Sequence, residues 1–149
     1  MGKIVTKAVW KGGRAFDAEM GNHIIRIDAP EASGGKDSGP KPPLLLLGGL
    51  LSCTGMDVVV MMEAYKVPFS SLHLECRAHQ ADKDPRVFTE AEVLYFVEGE
   101  GIEEKADKIV RAIEQSKQKF CCVSIMLSRS FPISARLFIN GTEKEIIHE

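Results

Sequence analysis

Cys53 lies in the least polar stretch of the chain, Leu44 to Met62, where Asp57 is the only charged residue. A thiol in such a place is either inert packing or a reacting group. Free cysteine is by default a small hydrophobe, and it becomes a nucleophile only where its proton is made easy to lose. A second thiol, Cys121, follows a charged amphipathic segment and opens the run FCCVSIML far away in sequence. Two thiols in two unlike settings point to a redox pair. The chemistry open to such a pair is attack of one thiolate on an O–O bond, giving a sulfenic acid. Condensation with the second thiol then forms a disulfide and protects the sulfenic acid from further oxidation. A cation, a hydrogen-bond donor or a helix terminus has to favour the thiolate, because burial alone works the other way. Leu50, Leu51, Met56 and Val60 stand around Cys53 in sequence and suit an apolar peroxide better than hydrogen peroxide.

The other two of the four cysteines read differently. Cys76 sits in LHLECRA, where one small apolar side chain on the buried face of a strand explains it. Cys122 adjoins Cys121. Neighbouring Cα atoms stand about 3.8 Å apart, short of the roughly 4.4–6.8 Å that a disulfide prefers, so one of the two is a bystander. Zinc is not indicated: there is no C-x-x-C, and His23, His73, His79 and His148 are scattered. The start MGKIVTKAVW lacks the apolar core of a secretory signal, which leads us to expect a reducing, cytoplasmic setting.

At 149 residues, 44% of them hydrophobic and 27% charged, the chain has the size and composition of one globular domain over 1–149. The net charge of −2 and the absence of a basic stripe exclude the footprint of a nucleic-acid binder. A membrane span over Leu44 to Met62 would have the right length, since about 20 apolar residues cross the hydrocarbon core. Gly48, Gly49, Ser52, Thr54, Gly55 and Asp57 interrupt it, and a core helix enclosed on every side fits better. Such enclosure is hard to arrange within one small chain, so a second subunit is expected.

The elements that must carry the thiols are of α+β type. Ile4 to Trp10 and Ile24 to Asp28 alternate as strands do and are expected to pair with each other through the turn-rich KGGRAFDAEMGN. APEASGGKDSGPKPP is a loop by composition. Pro42 and Pro43 suit the first turn of a helix, whose N–H groups lack intrahelical partners, and the helix is predicted to run to about Lys66 with Pro68 beyond it. Leu72 to Gln80 and Val87 to Phe96 predict a hairpin across DKDPR. Ile102 to Lys119 carries Ile102, Ala106, Ile109, Val110 and Ile113 at helical spacing. A short helix over Ser124 to Leu127, a strand over Ile133 to Ile139, a turn at Asn140-Gly141 and a tail complete the reading.

The segments GGKDSGPKPPLLLLGGLLSCTGMDVVVMME, DPRVFTEAEVLYF and SKQKFCCVSIML, in that order, resemble the family of osmotically inducible protein C and organic hydroperoxide resistance proteins (OsmC/Ohr). Within it they are closest to the branch with the SCTGMDVV type of motif. The resemblance covers most of the chain. It implies antiparallel sheets around a long buried central helix, in an intertwined homodimer with active sites at the subunit interface. By position Cys53 matches the peroxidatic cysteine, and Cys121, in the K-[YF]-C context, matches the resolving one. Cys122 stands where the family often has Ser or Pro. The resemblance further implies organic hydroperoxides as substrate, a lipoyl-type dithiol as external reductant, and no metal or prosthetic group.

Peroxide-reducing members hold the thiolate with an Arg oriented by a Glu that lies one or two positions after the Pro matched by Pro42. Here those positions are Pro43 and Leu44. Arg14 is the first candidate for the arginine by region, ahead of Arg26 and Arg86, although each is by type more often a solvated surface charge. Asp57, one turn after Cys53, raises the thiol pKa if it faces it while ionised. Two functions are therefore expected to compete. The first is a Cys-based hydroperoxide reductase in oxidative-stress defence. The second is a non-peroxidase dimer of the same fold that binds an apolar ligand or acts as a thiol redox protein.

Overall fold

Residues 2–146 are described by the structure, a computed structural model of the single chain. The fold divides into two compact units between Gly48 and Gly49.

The first unit carries a three-stranded antiparallel meander, β1 (Lys7–Trp10), β2 (Phe16–Met20) and β3 (His23–Ile27), in the order β1-β2-β3. The expected pairing of the first strand with Ile24 to Asp28 does not occur. FDAEM, expected as part of a turn, is itself a strand and lies between them, with Ala8 opposite Ala18 and Ala18 opposite Ile25. Gly12 and Gly13 have φ of 95° and 56°, left-handed values open to glycine, and they close the chain tightly enough for β2 to begin at Phe16. After β3 the loop is organised by Asp28, a buried carboxylate. It accepts hydrogen bonds from the N–H groups of Ala29 (2.7 Å), Lys36 (3.2 Å) and Ser38 (3.1 Å) and from the Ser38 hydroxyl (2.7 Å). The Ser38 bonds and then that of Ala29 hold its pKa down at about 2. Gly35 fits the loop because a Cβ there would lie 1.9 Å from the Ala29 carbonyl oxygen.

α1 (Pro42–Ala64) begins at the expected prolines and ends two residues short of Lys66. Lys66 takes φ of 58°, and the N–H groups of Lys66 and Val67 return to the carbonyls of Glu63 (3.0 Å) and Met62 (2.9 Å). This is the doubly hydrogen-bonded C-cap usually built on glycine. By length and composition alone, α1 is long and apolar enough to cross a membrane.

In the second unit β4 (Ser71–Gln80), β5 (Phe88–Glu98), β6 (Ile133–Ile139) and β7 (Thr142–Lys144) form one sheet in that order. The expected β4–β5 hairpin and the β6 strand are present. The expectation of wholly antiparallel sheets needs one correction: β5 and β6 run parallel, with Tyr95 opposite Leu137. A parallel neighbour requires a long crossover, and the helical segments between Ile102 and Leu127 supply it. The expected tail after Asn140-Gly141 contains β7, paired antiparallel with β6. Val93, Tyr95 and Val97 of β5 and Leu137 and Ile139 of β6 meet Leu50, Val58 and Met62 of α1 and Ile109 and Ile113 of α2 (Ala106–Gln115) in one core.

The expected enclosure of the long helix is not achieved within one chain. Leu50, Thr54, Gly55, Val58 and Met62 are buried, a single stripe at a spacing of four residues. Met56 and Val60 on the other side are 69% and 63% exposed. Within the second unit α1 packs on one layer, and a helix packed on one layer buries one stripe.

Candidate active site

The stripe that α1 buries brings Cys53 and Thr54 toward the end of the crossover. The segment read from sequence as one helix from Ile102 to Lys119 is in fact a 3-10 turn at Ile102–Lys105, then α2, then a π-turn at Ser116–Phe120. The π-turn is closed by the N–H of Cys121 donating to the Ser116 carbonyl at 2.8 Å. One widened turn of this kind changes the direction of the chain and recurs at functional sites. Here it delivers Cys121 to the N-cap of α3 (Cys122–Leu127), where the Cys121 Sγ accepts the Ser124 N–H at 3.3 Å.

The two thiols are neighbours. Cys53 is half-buried and Cys121 fully buried, both reduced, and the Cys53 side chain bears on the Cys121 thiol. Burial above all pushes the Cys121 thiol up to about 12. The Ser124 N–H opposes this, while the Cys53 side chain and the charge of Asp57 add to it. Cys121 is therefore held protonated, and Cys53 is the thiol nearer to solvent.

Beneath the pair runs a chain of hydroxyls that sequence reasoning did not single out. Tyr95 Oη lies 2.7 Å from Thr54 Oγ1, Thr54 Oγ1 lies 2.8 Å from Ser116 Oγ, and Ser116 Oγ donates to Asp57 Oδ2 at 2.9 Å. The carboxylate fixes the direction of the whole chain. Ser116 gives its only hydroxyl proton to Asp57, so it accepts from Thr54, which in turn accepts from Tyr95. Tyr95 is buried, and burial with the charges of Cys121 and Asp57 raises its pKa to about 12, so it stays a donor. Thr54 and Asp57 flank Cys53 on α1, while Ser116 bonds both of them through its side chain and Cys121 through its carbonyl. One residue thus fastens the Cys121 segment to the helix that carries Cys53. The sequence signal for this was slight: Asp57 stood out as the only charge in its stretch, but Thr54, Ser116 and Tyr95 had nothing to mark them.

Cys76 is half-buried on β4, with burial raising its pKa, and Cys122 is exposed at the first residue of α3. Arg14 is exposed on the β1–β2 turn of the first unit, where its Nε would stand 3.6 Å from a Cβ placed on Gly34. Arg26 is engaged by its cross-strand partner Asp17, and Arg86 lies on the exposed β4–β5 turn 3.7 Å from Asp84. Among the described residues no group of three or more His, Cys, Asp or Glu side chains is gathered as a metal ion would need; His148 lies outside them.

Two openings lie along α1. A groove of about 590 Å³ runs between α1 and the start of β4, lined by Leu51, Met56, Val59, Phe69, Leu72 and Leu74 among others. A second, of about 360 Å³, has Asp57 in a wall completed by Val60, Met61 and Phe120. Of the four apolar residues expected around Cys53, Leu51, Met56 and Val60 line the first groove, while Leu50 is buried in the core.

Residues 35–136 match the family model of the OsmC-like protein. The chain is 26% identical over 126 residues to Protein YhfA of Escherichia coli (strain K12), covering 84% of this chain and 90% of that protein. A crystal structure of a hypothetical protein from Aquifex aeolicus VF5 superposes with a TM-score of 0.80 at 21% identity, covering 94% of this chain and 98% of the other. An organic hydroperoxide resistance protein from Elizabethkingia anophelis superposes with a TM-score of 0.67 at 19% identity, over 94% and 98% of the two chains. The α+β fold read from sequence is thus shared with these structures, and the family model spans both thiols and the whole of α1. The chain belongs to the OsmC-like protein family.

Proposed function

We propose that the protein is a Cys-based peroxidase that reduces organic hydroperoxides in oxidative-stress defence. The observation that carries this is the pair of neighbouring thiols, Cys53 half-buried and Cys121 buried, with Cys53 on a helix whose apolar groove includes Leu51 and Ser52. Membership in a family whose structural relatives include a protein named for organic hydroperoxide resistance supports it.

The Cys53 thiolate attacks one oxygen of ROOH; an S–O bond forms, the O–O bond breaks, and the leaving alkoxide takes a proton to become ROH. The resulting Cys53 sulfenic acid condenses with the Cys121 thiol, forming S–S and releasing water. An external dithiol of the lipoyl type then reduces the disulfide by exchange and is itself oxidised to a cyclic disulfide. The sum is ROOH plus dithiol giving ROH, water and the oxidised dithiol.

For the cation that favours the thiolate we propose Arg14, an exposed residue chosen only for its region of the sequence. A second copy of the chain covers the helix face left open at Met56 and Val60, in a cytoplasmic homodimer; apolar exposure of this extent on one face supports an interface. One observation favours the competing reading, a thiol redox or ligand-binding dimer without peroxidase activity: Pro43 and Leu44 leave no carboxylate in the first turn of α1.

Rapid mixing of the reduced protein with cumene hydroperoxide and with hydrogen peroxide decides between them. Fast oxidation selective for cumene hydroperoxide is expected of the peroxidase. Slow oxidation that does not discriminate between the two would leave the competing reading.

A further inference from the structure

Resolution by Cys121 poses a problem that the hydroxyl chain answers. A thiol held at about 12 is almost wholly protonated at neutral pH, whereas attack on the Cys53 sulfenic acid requires its thiolate. A base is needed within the site, and the expelled hydroxide needs an acid.

We propose that Asp57 is a further catalytic residue, which takes the proton from Cys121 and delivers it to the hydroxyl group leaving Cys53. This rests on the disulfide-forming peroxidase reading and deepens it. Cys121–SH gives its proton to the carboxylate; the Cys121 thiolate attacks the Cys53 sulfur; S–S forms as S–O breaks; and the departing hydroxide takes the proton from Asp57 and leaves as water. The carboxylate is regenerated, and no outside reactant is consumed.

The geometry places Asp57 for both transfers. It lies four residues after Cys53 on α1, so its side chain stands on the same face one turn away. Ser116, which grips Asp57 Oδ2, also binds the main chain of Cys121, so carboxylate and buried thiol are tied to one residue. With Oδ2 held by Ser116, Oδ1 remains to carry the proton. The negative charge of Asp57 also bears on both Cys121 at the N-cap of α3 and Tyr95 on β5, and Cys53 precedes it by one turn of α1. Val60, Met61 and Phe120, which share its pocket, do not titrate.

The test reads closure without peroxide, so failure of the peroxidase reading and failure of this proposal are separate results. With Cys76 and Cys122 replaced by serine, the protein is mixed with 5,5′-dithiobis(2-nitrobenzoate). Attack by Cys53 releases one coloured thiolate, and attack by Cys121 on the mixed disulfide releases a second. In the parent the second phase is expected to be level over about pH 6 to 9, because a base held in the site stands in for hydroxide. Asp57→Asn is expected to leave the first phase unslowed and to slow the second about 100-fold near neutrality, the scale of general base catalysis. The second phase of the variant should then climb about tenfold per pH unit, as hydroxide replaces the lost base.

Closure of Asp57→Asn at the parental rate overturns the proposal. So does slower closure that stays flat with pH, which would make Asp57 a merely structural residue. Should Asp57→Asn not fold, the parent decides alone: a level second phase upholds the proposal, and one climbing tenfold per pH unit overturns it.

Discussion

Replacing Thr54 by valine tests the hydroxyl chain directly, since the two side chains have nearly the same shape and only the hydroxyl is lost. Thr54 is 2% exposed and Tyr95 3%, so water cannot take the place of the missing oxygen without opening the core. The Tyr95 hydroxyl then loses the acceptor it has in Thr54 Oγ1, a buried donor left unsatisfied, at a cost of about 1–3 kcal/mol. Ser116 loses the bond it accepts from Thr54 but keeps the one it donates to Asp57, so its share is about 0.5–1.5 kcal/mol. Thr54→Val should therefore cost roughly 2–4 kcal/mol in all. With a urea dependence of roughly 2 kcal/mol per molar, the unfolding midpoint falls by about 1–2 M, compared at one protein concentration because association would shift it. The diagnostic partner is Thr54→Val combined with Tyr95→Phe. Removing both ends of a buried hydrogen bond leaves nothing unsatisfied, so the double variant should recover most of the Tyr95 share and unfold at higher urea than Thr54→Val alone. A Thr54→Val midpoint within about 0.3 M of the parent, or a double variant no more stable than the single one, would refute the reasoning.

Cys121→Ser should consume one equivalent of cumene hydroperoxide at the parental rate and then accumulate Cys53 sulfinic acid, read by mass, because nothing traps the sulfenic acid. Val60→Glu places a charge on the exposed apolar side of α1 and should shift a dimer toward monomer in sedimentation; unchanged association would move the interface elsewhere. The Asp28 carboxyl, at about 2 folded and about 3.9 unfolded, contributes stability that is complete above the unfolded value and lost as pH falls through the folded one. The parent should accordingly lose stability from about pH 4 down to about pH 2 more steeply than Asp28→Asn, measured by thermal unfolding across that window. Equal slopes would show that the carboxylate is not what holds the loop over 29–38.

What could be read in advance was whatever repeats or punctuates. The prolines at 42 and 43, the apolar run after them, the alternation of Ile133–Ile139 and the hairpin around DKDPR all appear where the pattern placed them. FDAEM was missed because two of its five residues are charged and it lies between glycine turns, so its pairing partners and not its own composition make it a strand. The parallel β5–β6 pair follows from the crossover, which local pattern does not encode. The exposed side of α1 is equally a matter of packing: an apolar residue in sequence does not say which layer covers it. In the site, the thiols were legible because cysteine is rare and their surroundings differ. The π-turn that brings them together was not, since α and π-turns have the same local propensities and differ by one hydrogen bond, from Cys121 to Ser116. Ser116 and Thr54 were equally silent, because a hydroxyl in a helix marks nothing until its partners are known.

The central claim is that Cys53 and Cys121 work as one redox pair. It is tested most directly by adding one equivalent of cumene hydroperoxide to the reduced protein, blocking the remaining thiols, and mapping every cysteine by mass spectrometry. A Cys53–Cys121 disulfide with Cys76 and Cys122 still reduced is the expected result. Oxidation spread over all four cysteines, or a disulfide that leaves out Cys53 or Cys121, would contradict the account.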